Sequence, residues 1–486
     1  MSGVIPSGTV KEYLTVEPCS LQAENSVVKE FFTTYNHAEI QIIKPYPKYK
    51  DSGVEWIGEV PEGWEISLLK RYCKVTDGSH FSPKTVLEGR PYISVKDVDE
   101  KGISFNNCKR ISEEDFEQLK KNGCSPLPGD VLLTKDGTIG RGVIVNDDFP
   151  EFVALSSLGI LTPSSQLLSQ YLLFYLLSGI NMQQMLRTIH GSALTRLTIE
   201  KINHLLICIP SYTEQTAIAE YLDRKTAEID NLIANKERLI ELYEEEKKAV
   251  INQAVTKGLD PDAEMKDSGV EWLGEVPVHW EVLQLDYLIR VKARLGWKGL
   301  KASEYVPEGY GFLSTPNIKG SEIKYETINF ISEERYLESP EIMLKDNDVL
   351  LAKDGSTLGI VNIVKKLPFA CTVNSSIAVL RVVRNEKILP DFLRYFMSCE
   401  IMQQVIERTK GGMGVPHLFQ GDINKFKLLS PTIKEQVAIV HHIETQCSHI
   451  DAIITKLKKQ IKLFKEYRTA LISEAVTGKI DLRDNG

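Results

Sequence analysis

The sequence predicts a mixed α/β protein, with two pseudo-symmetric α/β domains and two long helices that pack on each other as a coiled coil. Three observations lead there. Sixteen residues recur almost unchanged, KDSGVEWIGEVPEGWE from Lys50 and KDSGVEWLGEVPVHWE from Lys266. Each copy is followed by short β-branched segments bounded by Gly, Asp and Pro, the mark of strands. Each half then ends in a long segment whose apolar residues recur every seven positions, the seam of a coiled coil.

The order of elements is the same in both halves. After the first box, RPYISVKDV (from Arg90), GDVLLTKDG (from Gly129) and GVIVND (from Gly142) read as strands. LPGDVLLTKDGTIGRGVIV, from Leu127, resembles LKDNDVLLAKDGSTLGIVNIV, from Leu344, aligning Asp130 with Asp348 and Lys135 with Lys353. SQYLLFYLLSGINMQQMLRTI (from Ser169) and PDFLRYFMSCEIMQQVIERT (from Pro390) have helical periodicity. A period of roughly 220 residues is too long for a solenoid repeat. It marks a duplicated two-part unit, and duplication within one chain gives pseudo-two-fold symmetry.

The long helices open with the matching segments IPSYTEQ (from Ile209) and SPTIKEQ (from Ser430), which place Glu and Gln in the first turn, where the helix dipole favours a negative charge. In the second, Val440, Cys447, Ile454, Ile461, Arg468 and Ala475 form one heptad row; Ile443, Ile450, Leu457, Phe464 and Leu471 form the other. The first keeps this register from Ala219 and Leu222 onward, with polar intrusions. Both end in AVT and a glycine, Gly258 or Gly478, a suitable C-cap. About 32 residues of seam give a rod of roughly 48 Å. The alternative is that each helix packs only on its own domain. The box tryptophans Trp56, Trp64, Trp272 and Trp280 are expected to pack each domain against the helices.

Composition bounds the chemistry. With 486 residues, 42% apolar and 26% charged, the chain is a multidomain globular protein. It has no apolar run long enough for a membrane span, and no secretory signal is visible. Eight scattered cysteines without a C-x-x-C pair fit a reducing cytosol. The net charge of −8 counts mildly against nucleic acid, but binding follows where positive charge sits. No phosphate-binding, dinucleotide, serine-hydrolase or zinc-protease motif occurs, nor an N/D-P-P-Y/F tetrapeptide of amino-methyltransferases. Glu264-x-Lys266 mimics a metal-dependent nuclease motif, yet it falls in a Pro- and Asp-rich linker. His441, His442, Cys447 and His449 do not share one helix face, so no metal site is predicted.

The paired boxes, the two Glu-Gln helices ending in AVT and the paired KDG segments together resemble the specificity subunit of type I restriction-modification enzymes, from about Tyr46 to the C-terminus. The resemblance implies an N-terminal extension (1–45), a first target-recognition domain (46–210), spacer helix 1 (211–259), a second target-recognition domain (260–430) and spacer helix 2 (431–480). The helices would pack antiparallel. Each domain would read one half of a bipartite site in double-stranded DNA. Two methylation subunits would bring S-adenosylmethionine, and motor-nuclease restriction subunits would bring ATP and Mg. This chain would hold no cofactor or metal and no catalytic residue of its own, act in the cytoplasm and touch no membrane.

Contact with DNA needs loop donors and acceptors for bases, and cations or free N–H groups for phosphates. DGSHFSPK, from Asp77, resembles the family's first DNA-facing loop and offers Ser79, His80 and Lys84. Its counterpart RVKARLGWKGLK offers Lys292, Arg294, Trp297, Lys298 and Lys301. The Gly-bearing pair RTIHGSALTRL and RTKGGMGVPHL offers Arg187, His190, Ser192 and Arg196, then Arg408, Lys410 and His417. Lys135 and Lys353, shared by both KDG segments, suit a turn or a phosphate contact. The competing reading of the whole chain is a non-catalytic structural adaptor with two protein-binding domains on a coiled coil. An autonomous nuclease or methyltransferase would need catalytic residues not found here.

Overall fold

A computed structural model of the chain describes residues 45–99, 102–189, 196–294, 300–411 and 416–483. The chain divides into two compact units, Met1–Glu237 with Lys458–Gly486, and Arg238–Leu457. Each unit therefore combines one box, one α/β domain and a part of both long helices.

Both domains are built on one plan. In each box a short strand pairs antiparallel with another, Tyr49–Asp51 with Glu59–Pro61 and Met265–Asp267 with Glu275–Pro277. The second pairing changes one expectation: Glu264–Lys266 is not a free linker, since Met265 and Lys266 belong to a strand. A second antiparallel pair ties the start of each domain to its end, Glu65–Leu68 with Leu206–Ile209 and Glu281–Gln284 with Lys427–Ser430.

Between these lies a four-stranded antiparallel sheet, ordered Gly142–Ile144, Val131–Thr134, Leu158–Pro163, Cys73–Asp77 in the first unit. The second unit repeats it with Val361–Ile363, Val349–Ala352, Ile377–Val382, Ile289–Lys292. A three-stranded mixed sheet accompanies each, centred on Arg90–Ile93 or Tyr310–Leu313.

The central strands VLLT and VLLA are buried throughout because both of their faces are covered. Alternate residues of a strand point to opposite faces. Accordingly Val349 and Leu351 enter one core, with Phe392 and Phe396 of the helix Pro390–Ser398, while Leu350 and Ala352 enter another, with Leu313 and Val373.

The long helices run Tyr212–Lys257 and Ile433–Val476. In the first unit Asp230 meets Arg468 at 3.0 Å and Lys236 donates to Gln460 at 2.8 Å. Partners fall in number as the first helix rises, so the pair is antiparallel. In the second unit Lys247 meets Asp451 at 2.7 Å. The heptad rows of the second helix are buried from Ile443 to Phe464, as a seam requires. The polar intrusions are each satisfied: Thr226 donates to the Leu222 carbonyl, and Lys236 and Lys247 find the partners just named. Burial lowers the Lys236 pKa, the cost of seating an ammonium at a seam position.

The Glu-Gln pair fastens each domain to its helix. Glu214 and Glu435 accept from the indole N–H of Trp64 (3.3 Å) and Trp280 (2.8 Å). Gln436, fully buried, accepts from Leu389 N–H at 2.8 Å and donates to the Lys387 and Pro431 carbonyls. Gln215 repeats this with Leu168, Gln166 and Pro210. Trp56 and Trp272 are half-buried. Replacing Gln436 by leucine keeps the volume but orphans buried backbone groups, and is expected to cost about 1–3 kcal/mol. Urea unfolding checks this; an unchanged midpoint would mean that the amide network contributes nothing.

Each box closes on the end of a long helix. In the first unit the Tyr49 hydroxyl donates to the Gly478 carbonyl at 3.1 Å, and the Lys479 ammonium donates to the Glu59 carbonyl. In the second unit Lys257 donates to the Glu275 carbonyl. Gly478 has φ +70°, and a Cβ there would lie 2.4 Å from Pro61 Cδ. Only glycine both turns the chain left-handed and lets the box approach so closely.

Candidate nucleic-acid interface

The KDG segments stand at the centre of each candidate site. Both follow the buried central strand, and both are held by the same backbone bonds. Lys135 N–H donates to Ser157 and Leu197 N–H donates to the Lys135 carbonyl, each at 2.9 Å. Lys353 N–H donates to Ser376 at 2.8 Å and Leu418 N–H donates to the Lys353 carbonyl at 2.9 Å. The segment beginning at Arg196 or His417 is thereby drawn beside the KDG turn. The KDG aspartate then takes a basic partner: Asp136 pairs with Arg196 at 3.1 Å, and Asp354 contacts the His417 ring. Gly137 and Gly355 have φ near +70°, so the third residue of each motif serves the turn.

The lysines differ in their surroundings. Lys135 is 1% exposed and its ammonium lies 3.1 Å from Asp77 Oδ1; Asp77 Oδ2 lies 2.9 Å from His80 Nε2. In the second unit the ladder places Lys292 opposite Val379, as Thr76 stands opposite Ile160. Ala293 therefore occupies the position of Asp77. With that carboxylate missing, Lys353 leans on its own neighbour, 3.4 Å from Asp354 Oδ2.

The first unit thus gathers Ser79, His80, Lys135 and Arg196. Ser79 is buried: its hydroxyl donates to the Phe81 carbonyl and accepts from Phe81 N–H. His80 and Lys84 are exposed, as is Arg187 in the last turn of the helix Gly179–Ile189. The second unit gathers Lys353 and His417, with Gly411 bridged to His417. Arg408 and Lys410 lie exposed just before it, and Lys410 pairs with Glu407. Lys292 is half-buried at its strand end, and Lys301 is exposed with its N–H donating to Glu304. Arg294 turns inward: its side chain is 4% exposed and pairs with Glu338 at 3.2 Å, next to Arg335. His190, Ser192, Trp297 and Lys298 lie outside the described residues.

Sequence reasoning did not single out Asp77, Asp136 and Asp354, which organise these cations. The repeated Asp of KDG was the available signal for two of them. Asp130 and Asp348, the other aligned acids, cap turns by accepting from Leu127 and Lys345 N–H at 2.8 Å. The described thiols offer no nucleophile near the sites: burial pushes Cys73 up to about 12 and Cys399 up to about 11.

The family model described as the type I restriction modification DNA specificity domain matches residues 61–242 and again 277–463. Over 437 residues the chain is 23% identical to the type I restriction enzyme MjaVIII specificity subunit of Methanocaldococcus jannaschii, covering 87% of this chain and 95% of that protein. It is 22% identical over 442 residues to the EcoKI specificity subunit of Escherichia coli, covering 87% and 90%. A chain solved in a study of assembly and conformational transition of the type I R-M system shares the fold, with TM-score 0.65 at 13% identity, covering 87% of this chain and 99% of that one.

Proposed function

Because this chain belongs to the type I restriction-modification DNA specificity family, whose domain it carries twice, we propose that it reads a bipartite site in double-stranded DNA. Each domain reads one half-site, and the antiparallel helices keep the half-sites at one spacing. The chain also serves as the scaffold on which two methylation subunits, carrying S-adenosylmethionine, and motor-nuclease subunits, using ATP and Mg, assemble. It takes no catalytic step itself and works in the cytoplasm. Among the described residues no helix is long and apolar enough to cross a membrane.

The observation that supports this reading best is one frame with two different rims. The backbone around Lys135 and Lys353 is bonded alike, while the side chains around it diverge: Asp77, His80 and Arg196 in one unit, Ala293 and His417 in the other. Two readers of different base sequences need a shared scaffold and unlike contact residues. In this reading exposed His80, Lys84, Arg187, Arg408, Lys410 and Lys301 face the duplex, Lys292, Arg196 and His417 border it, and Lys135, Lys353, Ser79 and Arg294 shape the loops behind them. His190, Ser192, Trp297 and Lys298 belong to the same contact segments.

Exchanging residues 70–205 for the corresponding segment of a relative is expected to change one half-site of the methylated motif and leave the other and the spacing as they were. Mapping of methylated sites reads the outcome. A change in both halves, or in neither, contradicts independent readers.

A further inference from the structure

The loop after Ser79 carries side chains that the cation cluster does not use. Phe81 is 58% exposed and Leu87 99%, with Val86 also open to solvent. Their loop is nonetheless pinned at both ends. Ser79 N–H donates to Ala154 at 2.7 Å, and the Phe81 carbonyl accepts from both the Ser79 and Tyr92 hydroxyls at 2.8 Å. Burial raises the Tyr92 pKa, which keeps this hydroxyl a donor. Farther along, Val86 N–H donates to the Arg110 carbonyl and the Arg110 guanidinium to the Gly89 carbonyl, both at 2.9 Å. Gly78 admits no side chain, since a Cβ there would lie 2.2 Å from the Leu155 carbonyl oxygen.

We infer that Phe81 and Leu87 are specificity-determining residues of the first reader, making apolar contact with thymine methyl groups in the major groove. The inference rests on the DNA-reading function proposed above. The loop backbone is held on either side of these residues, so binding need not order it. The thymine methyl is the apolar group presented on the base edges of that groove. Lys84, three residues after Phe81, supplies a donor, and Glu88, next to Leu87, supplies an acceptor of the kind that meets a cytosine amino group. Cations interleaved with apolar residues fit a duplex better than an apolar protein surface.

The test uses the complex of this chain with its methylation subunits and the half-site of the first domain, found by enrichment from random duplexes. Replacing individual thymines of that half-site by deoxyuridine removes only the methyl group. Wild-type complex is expected to lose about fourfold in affinity at one or more such positions, the worth of one buried methyl. L87A and F81A complexes should each bind the thymine duplex more weakly by a similar factor and no longer distinguish deoxyuridine at the position that side chain contacts. K84A should weaken binding to both duplexes equally and flatten the salt dependence. Leu87 is wholly exposed, so the L87A chain should melt as wild type, which keeps the comparison interpretable.

Indifference of wild type to every deoxyuridine, or a half-site without A·T pairs, overturns the inference while leaving DNA reading intact. So does an L87A complex that binds DNA normally but assembles poorly with methylation subunits, since the loop would then be a protein-docking element. Enrichment of no motif removes the DNA reading itself, and the inference with it.

Discussion

Replacing Trp280 by alanine is expected to lower the stability of the second unit by about 3–5 kcal/mol, the range for deleting a buried aromatic side chain. Trp280 is completely buried in the core that also holds Ala254, Val255, Leu273 and Ile439. Its indole N–H donates to Glu435 at 2.8 Å, and Gly258, at the end of the first long helix, faces the ring with 3.2 Å to a would-be Cβ. Deletion leaves a cavity among these groups and takes a partner from Glu435, which among the described residues keeps His279 at 3.0 Å. Trp280→Phe retains much of the apolar volume and removes the donor, so about 1–3 kcal/mol is expected. Urea unfolding of both variants measures the difference. A loss below about 1 kcal/mol for Trp280→Ala, against the cavity cost cited above, would mean that the box does not clasp the helix through this ring.

Asp77→Ala should be nearly as damaging, because it strands the Lys135 ammonium in the core without a counter-charge. Removing one partner of a buried pair costs about 3–5 kcal/mol. Asp77 keeps 26% of its side chain exposed, so solvent screens part of the pair and the lower end of that range is expected. The double variant Asp77→Ala with Lys135→Met should recover most of the loss, since no charge is left buried. The second unit carries alanine at the equivalent position, Ala293, and there Lys353 pairs with Asp354 instead. A double-mutant cycle by thermal or urea unfolding decides the matter; equal instability of single and double variants would rule out the coupling.

These two sites also show what could be read in advance. Trp280 lies in a repeated box, and the duplication alone pointed to a structural task. The heptad rows of the second helix and the glycines that end both helices were likewise readable, because each is a local pattern with a local cause. The strand in GDVLLTKDG was readable too, whereas the cover on both of its faces was not. The partners in the candidate sites were not readable. Asp77 reaches Lys135 only because Gly159 pairs with Asp77 and with Leu133 in the same sheet, and such register is a long-range property. Arg294 looked like any cation of a basic run until Glu338, far along the chain, drew it inward. The strand at Met265–Asp267 was hidden by its Pro- and Asp-rich approach, and only its pairing with Glu275–Pro277 makes it a strand. The outward set of Phe81 and Leu87 was equally hidden, since apolar residues in a sequence more often signal core.

The central claim is that this chain selects DNA through two readers on one spacer. The most direct measurement is selection from random-sequence duplexes by the purified chain bound to its methylation subunits, followed by sequencing of the retained pool. Two short defined half-sites separated by a gap of one constant length are the predicted result. A retained pool with no enriched motif, or with half-sites at variable spacing, would contradict the claim.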